Sequence, residues 1–327
     1  MKVNNDKDKL ELTIELPKFN KEYLKKLEDK NSEKLEVTIK IPKISYEELK
    51  EKLTKMNNKK KRKKYISSFI IIVLFGIGIF YVFNIFNNLE DKKRVNETND
   101  KILDKIEINE SIVDNATNIN PPDDKNNIYW KYINYSMLDV DLNKLKNENS
   151  DTTGWIYTNN TNINYPIVQS TDNEFYLKHQ FDKTKNSAGW VFMDYRNDKI
   201  SSNNKNTIVY GHGLKNKAIF GTLNKVLNEN WYTNVDNLVI KTIDMENTYL
   251  WQIFSIYKIE TTDDYLQTKF IDDEHYLEWL NMLKLRSINN FDVSLNSTDK
   301  ILTLQTCYNN DLKTVVHAKL IKLASVS

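Results

Sequence analysis

One cysteine, Cys307, ends the alternating apolar run ILTLQTC at residues 301–307 of a 327-residue chain. A thiol attacks as thiolate, so a reactive cysteine needs a proton acceptor or a positive charge beside it, most often histidine. The chain has four histidines. His179 in YLKHQF, His275 on the polar side of an acidic helix start and His317 in the alternating run TVVHAKL fit ordinary structural positions. His212 differs, because it follows the apolar run NTIVY and is flanked by Gly211 and Gly213, which set an imidazole at a strand end on a backbone free to turn. Cys307 and His212 at strand ends on one barrel rim would form a nucleophile and base dyad. Acyl transfer also needs a donor for the developing oxyanion. The candidate nearest in sequence is Lys313, six residues beyond Cys307, which returns to the thiol if the runs 301–306 and 314–323 pair across a short loop. The residues by themselves leave other roles open: an inert buried thiol, an intermolecular bridge, and a surface lysine in a turn. A lone cysteine excludes an internal disulfide framework and a Cys-rich zinc site, and no Cys/His spacing supplies other ligands, so neither metal nor cofactor is expected.

The elements that would position these side chains are short. Eight apolar runs separated by turn residues, GWIYT, YPIV, GWVFM, TIVYG, LVIKT, TYLWQIFSIYKI, ILTLQT and TVVHAKLIKL, predict a mainly β closed barrel or sandwich. Helices are expected at about 129–147, at 218–227 and at 272–286, the last opening on acidic and closing on basic residues as the helix dipole favours.

Upstream of the strands the chain changes character. Residues 65–86, YISSFIIIVLFGIGIFYVFNIF, carry no charge. As a helix they would be roughly 33 Å long, enough for a hydrocarbon core of about 30 Å. KKKRKK at 59–64 precedes them and mixed charge follows, so the positive-inside rule puts the N-terminus in the cytoplasm and the remainder outside. A cleaved signal peptide fits less well, since a long polar segment precedes the run and no small-residue cleavage site follows. Residues 1–58 hold a repeat, LELTIELPKFNKEYLKKL and LEVTIKIPKISYEELKEKL, each copy reading as strand, proline stop and charged helix. So small an α+β unit would need a partner or self-association to be stable, and a solvated tail is the alternative. Residues 87–127 are polar, with NPPDD breaking any helix, and read as a stalk ahead of a catalytic domain at 128–327. Charge is nearly balanced, 47 Lys+Arg against 45 Asp+Glu, which gives no footprint for nucleic acid.

The runs resemble, in order, the motifs of a known family. TLQTC resembles the TLxTC signature of sortases, and NTIVYGH resembles the strand that carries their histidine. YWKYINYSMLDVDLNKLKNENSDTTGWI, NINYPIVQSTDNEFYLKHQFD, AGWVFMDYRN, FSIYKIETTDDYLQTKF and DDEHYLEWLNMLKLRS align the resemblance with class B, over residues 128–327 and not over the N-terminal repeat. The resemblance implies an eight-stranded sortase-type β-barrel with an N-terminal helical extension and one helix between late strands. It implies a membrane-bound cysteine transpeptidase of Gram-positive bacteria that cleaves a C-terminal sorting signal after Thr, holds the acyl half as a thioester and passes it to an amine of the cell wall or its precursor. By position Cys307 would be the nucleophile and His212 the acid and base. Asn173, Leu177, Thr261, Tyr265, Leu266 and Gln305 would line the groove, for an Asn-Pro-x-Thr rather than a Leu-Pro-x-Thr-Gly signal. The family's arginine on the last strand corresponds to Lys313, which keeps the charge and loses the two-pronged donor, so a slow enzyme is expected. Three other readings stand beside it: a degenerate sortase that holds sorting peptides with little turnover, a protease whose thioester is resolved by water, and a chain whose main functional part is the N-terminal repeat.

Overall fold

The computed structural model describes residues 45–198, 204–260, 262–307 and 312–326. The first copy of the N-terminal repeat and the strand half of the second lie outside the described residues, as does Thr261. The chain divides into two compact units at Leu74. In the first, the described residues from Tyr46 onward are helical and exposed. Glu47 and Glu48 in the opening turn suit the helix dipole, and Glu51 pairs with Lys55 four residues on.

That helix runs on without a break as Tyr46–Lys105 and contains the run 65–86, whose apolar side chains are exposed throughout, as a lipid-facing surface requires. It is the helix long and apolar enough to cross a membrane among the described residues. In the second unit the helix continues into the segment read as a stalk. Val95, Asn99 and Ile102 fall on one helical face and are buried, and Ile106 follows them into the core. The apolar stripe is sparse enough to vanish in a polar composition, which is why the sequence suggested an extended spacer. After the helix, β1 (Ile108–Ser111) pairs with β3 (Met137–Val140), and β2 (Thr117–Asn118) adds to the outer edge of the last strand. The stretch 129–147 divides accordingly: Tyr129–Tyr132 is one helical turn, MLDV is β3, and the helix Leu142–Glu148 starts where Asp141 accepts from the Asn143 amide at 3.1 Å. Likewise 218–227 is helical only from Leu223, as a 3-10 turn ahead of the short helix Glu229–Tyr232.

All eight apolar runs become strands: β4 (Thr152–Thr158), β5 (Asn164–Val168), β6 (Phe192–Met193), β7 (Asn206–His212), β8 (Val239–Asp244), β9 (Asn247–Glu260), β10 (Ile301–Cys307) and β11 (Leu312–Ser325). They follow the order β10-β7-β6-β5-β4-β8-β9-β11, and an antiparallel β10–β11 pairing closes the barrel. Leu302, Val209, Met193, Ile167, Ile243 and Trp251 meet inside it around a residual cavity of only about 20 Å³. Eight strands enclose just enough room for side chains, so the interior is a filled core with no ligand chamber.

The helix Asp273–Leu285 covers the outer faces of β9 and β11, where Ser255 donates to the Leu283 carbonyl at 2.6 Å and Trp279 stands edge-on to His317. Asp272 caps that helix by accepting from the His275 amide at 2.8 Å, and Tyr276, Trp279, Leu280 and Leu283 form its buried stripe. Tyr276 donates to the carbonyls of Lys205 at 3.0 Å and Asp299 at 2.8 Å. One phenol thereby ties together the chain leading into β7 and the chain leading into β10.

Candidate active site

β7 and β10 run parallel, and their register pairs Ile301 with Asn206 and, at the far end, Cys307 with His212. The nucleophile and base candidates therefore sit across from each other at the C-terminal ends of adjacent strands. Alternation puts His212 on the same face as Tyr210. The antiparallel pairing of β10 with β11 ends at Gln305 opposite Val315, two residues before Cys307 and two after Lys313. Lys313 is half-buried and pairs on its other side with Ile259 of β9. The three residues predicted for the chemistry thus occupy three adjacent strands in the order β7, β10, β11.

The threonines of TLQTC hold this alignment. Thr303 Oγ1 lies 2.7 Å from Asn206 Oδ1 and 2.8 Å from His317 Nδ1, joining all three strands beneath the covering helix. Thr306 Oγ1 accepts from the Thr314 amide at 2.9 Å, fixing β11 beside Lys313 just before the thiol. His317 is fully buried and also meets Tyr257 OH at 2.8 Å; burial, with the Arg286 guanidinium nearby, pushes its pKa down to about 3. His179 stacks on Phe175 with Nδ1 2.8 Å from that residue's carbonyl, and His275 Nδ1 faces the Ile271 amide at 3.4 Å. These three histidines are structural, as their positions suggested.

His212 is set by two close approaches. Its Nε2 lies 3.0 Å from the Leu177 carbonyl oxygen. A carbonyl can only accept, so Nε2 carries hydrogen, and in the neutral ring Nδ1 is the basic nitrogen. Gly189, at φ +63°, packs against the ring: a Cβ there would stand 2.5 Å from the Tyr176 carbonyl and 3.0 Å from His212 Cδ2. Gly211 serves packing where the sequence suggested freedom to turn, since a Cβ on it would meet the Phe220 ring at 2.7 Å.

A buried carboxylate bonded to Tyr210, two residues before His212, escaped the sequence reading. Asp194 is fully buried and accepts from Arg196 Nε at 2.8 Å, Arg196 Nη2 at 2.7 Å, Tyr210 OH at 2.7 Å and Asn173 Nδ2 at 3.0 Å. Burial alone would raise this carboxyl, but the bonds from Arg196 and Tyr210 outweigh it and hold the group below the usual carboxylate range. Arg196 also donates to the Leu266 carbonyl at 3.1 Å. The signal available was MDYRN, where Asp and Arg two apart follow a strand, and Tyr210 two residues before His212 on the same face.

The predicted groove residues separate into three groups. Leu177 and Leu266 are half-buried beside the site, their carbonyls engaged by His212 and Arg196. Asn173 spends both ends of its amide on the loop after β6, donating to Asp194 and accepting from the Tyr195 amide at 3.0 Å. Tyr265 is in the interior, fully buried, with its ring edge to Tyr257 and His317. Gln305 is 6% exposed, and its Oε1 meets no donor among the described residues. No cluster of His, Cys, Asp and Glu suited to a metal occurs among the described residues.

A closed eight-stranded barrel with a cysteine and a histidine paired on parallel strand ends is the architecture of a thiol acyltransferase, and comparison with known proteins agrees. The sortase domain matches residues 156–321. Sortase B of Staphylococcus aureus is 36% identical over 184 residues, 55% of this chain and 74% of that protein. Sortase B of Listeria monocytogenes is 30% identical over 251 residues, 76% of this chain and 92% of that one. The structure of the Staphylococcus aureus sortase B–substrate complex superimposes with a TM-score of 0.52 at 34% identity, over 55% of this chain and 84% of that one. The chain belongs to the sortase family, in its class B, and is a cysteine transpeptidase of that kind.

Proposed function

We propose that Cys307 is the acylated residue of this transpeptidase and that His212 moves the protons. The Cys307 thiolate attacks the Thr carbonyl carbon of a sorting signal. The C–N bond breaks, and His212 gives a proton to the departing amine, leaving a thioester. An amine of the cell wall or its precursor then attacks the thioester, His212 takes its proton, and the thiolate departs. Lys313 stabilises the oxyanion at both stages. The observation that carries this reading is the parallel register that sets Cys307 across from His212.

Class B membership favours an Asn-Pro-x-Thr signal on a secreted protein. The half-buried Leu177 and Leu266 and the open acceptor of Gln305 offer a partly apolar groove with one polar anchor. The helix through 65–86 anchors the enzyme as a single-pass membrane protein, with the N-terminal 58 residues in the cytoplasm and the barrel outside, as KKKRKK directs. Residues 1–58 remain available for a cytoplasmic partner or for self-association.

Lys313 in place of an arginine favours one competing reading, in which sorting peptides bind with little turnover. The deciding experiment incubates the full chain with an Asn-Pro-x-Thr peptide, with and without an amine acceptor. Cleavage that Cys307→Ala abolishes, with transfer product appearing only when amine is present, is the expected result. Binding without cleavage would establish the degenerate form, and cleavage indifferent to amine would establish a protease.

A further inference from the structure

The long helix is fastened to the barrel within two turns of its apolar run. Phe86 closes that run, and Asp91 follows five residues later, about 7.5 Å along the axis. There Asp91 Oδ2 accepts from the Ser187 amide at 2.9 Å and its carbonyl accepts from Asn186 Nδ2 at 2.9 Å, while Asn88 Oδ1 accepts from Ser187 Oγ at 3.0 Å. Asn186 is fully buried and donates also to Gln180 Oε1 at 2.9 Å. A span ending at Phe86 puts this junction in the headgroup zone, which is about 5–8 Å deep on each side of the hydrocarbon.

The segment held there is a hairpin carrying Lys178 and Lys185. The Asn186 amide donates to the Lys178 carbonyl at 2.8 Å, His179 bridges to Lys185, and both lysines line one cleft. Both are exposed, and neither has an ion pair among the described residues. With Phe86, Glu90, Asp91 and Arg94 they line an open cleft of about 690 Å³. Arg94 and the Ser187 amide occupy Asp91, which leaves Glu90 as the one uncommitted carboxylate facing two ammonium groups. The cleft is thus basic on the hairpin side and apolar toward Phe86, which is the shape of a phosphate joined to an acyl chain.

We propose that this cleft binds the phosphate of an anionic phospholipid headgroup and clamps the barrel to the membrane surface. The proposal rests on reading 65–86 as a membrane span. It bears on the active site, because Lys178 directly follows Leu177, whose carbonyl holds His212 Nε2. A headgroup on Lys178 steadies the segment that orients the imidazole and keeps the cleft at one height above the bilayer.

The test uses the full chain in nanodiscs of phosphatidylcholine alone or mixed with phosphatidylglycerol, and reads lysine acylation rates by mass spectrometry. Lys178 and Lys185 should react about five-fold or more slowly in the anionic discs, as expected for an ammonium held at an anionic surface. Lys93, at the same height on the helix but outside the cleft, should change less, and Lys185→Gln should restore much of the reactivity of Lys178. Equal rates in both lipids, or equal slowing of Lys93, would overturn the proposal. So would equal protection by inorganic phosphate added to phosphatidylcholine discs, since the ligand would then be a soluble phosphate. A chain that does not enter the discs at all would remove the span reading and this proposal together, an outcome distinct from insertion without protection.

Discussion

Cys307 and His212 share a register position, yet the spacing between them depends on atoms elsewhere: the Leu177 carbonyl that fixes Nε2 and the missing Cβ of Gly189 that lets the ring lie where it does. Gly189→Ala should therefore cost activity out of proportion to stability. The left-handed backbone alone adds on the order of 1–2 kcal/mol of strain. A displaced imidazole should lower kcat by roughly 10- to 100-fold, since misplacements near 1 Å cost that much; a thermal melt beside the kinetics separates the two effects. Lys313 offers a second comparison. Removing an oxyanion donor costs about 100- to 1,000-fold in turnover, so Lys313→Ala should slow acyl transfer severely, while Lys313→Arg should match or exceed the parent. An unchanged rate in Lys313→Ala, or a slower Lys313→Arg, would remove Lys313 from the mechanism.

The strands that carry chemistry were legible because their apolar runs are uninterrupted and bounded by turn residues, and all eight runs form the barrel. The elements that escaped are those whose signal is tertiary. β1 and β2, INES and TN, have no apolar alternation and exist because β3 and β11 offer unpaired edges. The Asp194 cluster escaped for a related reason: beside Arg196 in its own segment, its partners Asn173 and Tyr210 come from separate segments that only the fold assembles. The covering helix makes its own prediction through His317. This residue is neutral and buried in the folded chain with a pKa near 3, whereas the unfolded chain takes up its proton near 6.5. The unfolded state binds more protons between those values, so this contribution is complete above pH 6.5 and is lost as pH falls toward 3. The loss approaches about 1.4 kcal/mol per pH unit for a single group. Urea unfolding of the parent and of His317→Gln from pH 7 to pH 4 should show a steeper decline in the parent.

Across the whole molecule, the segment 87–127 joins the apolar helix to the barrel and contributes to the core of the latter, since Val95, Ile102 and Ile106 are buried within it. Each such side chain is worth about 1.5–3 kcal/mol when fully buried. A chain beginning at Asn88 should consequently melt several degrees above one beginning at Pro121, whereas a free stalk would leave the two alike. The claim on which the whole account depends is that Cys307 carries the acyl group. Intact-mass and peptide-mapping spectrometry of the full chain, stopped with acid during turnover of an Asn-Pro-x-Thr peptide, tests it most directly. The account predicts an adduct of the N-terminal peptide fragment on Cys307 that is discharged by an amine and absent in Cys307→Ala. Turnover with no adduct, or an adduct on any other residue, would contradict it.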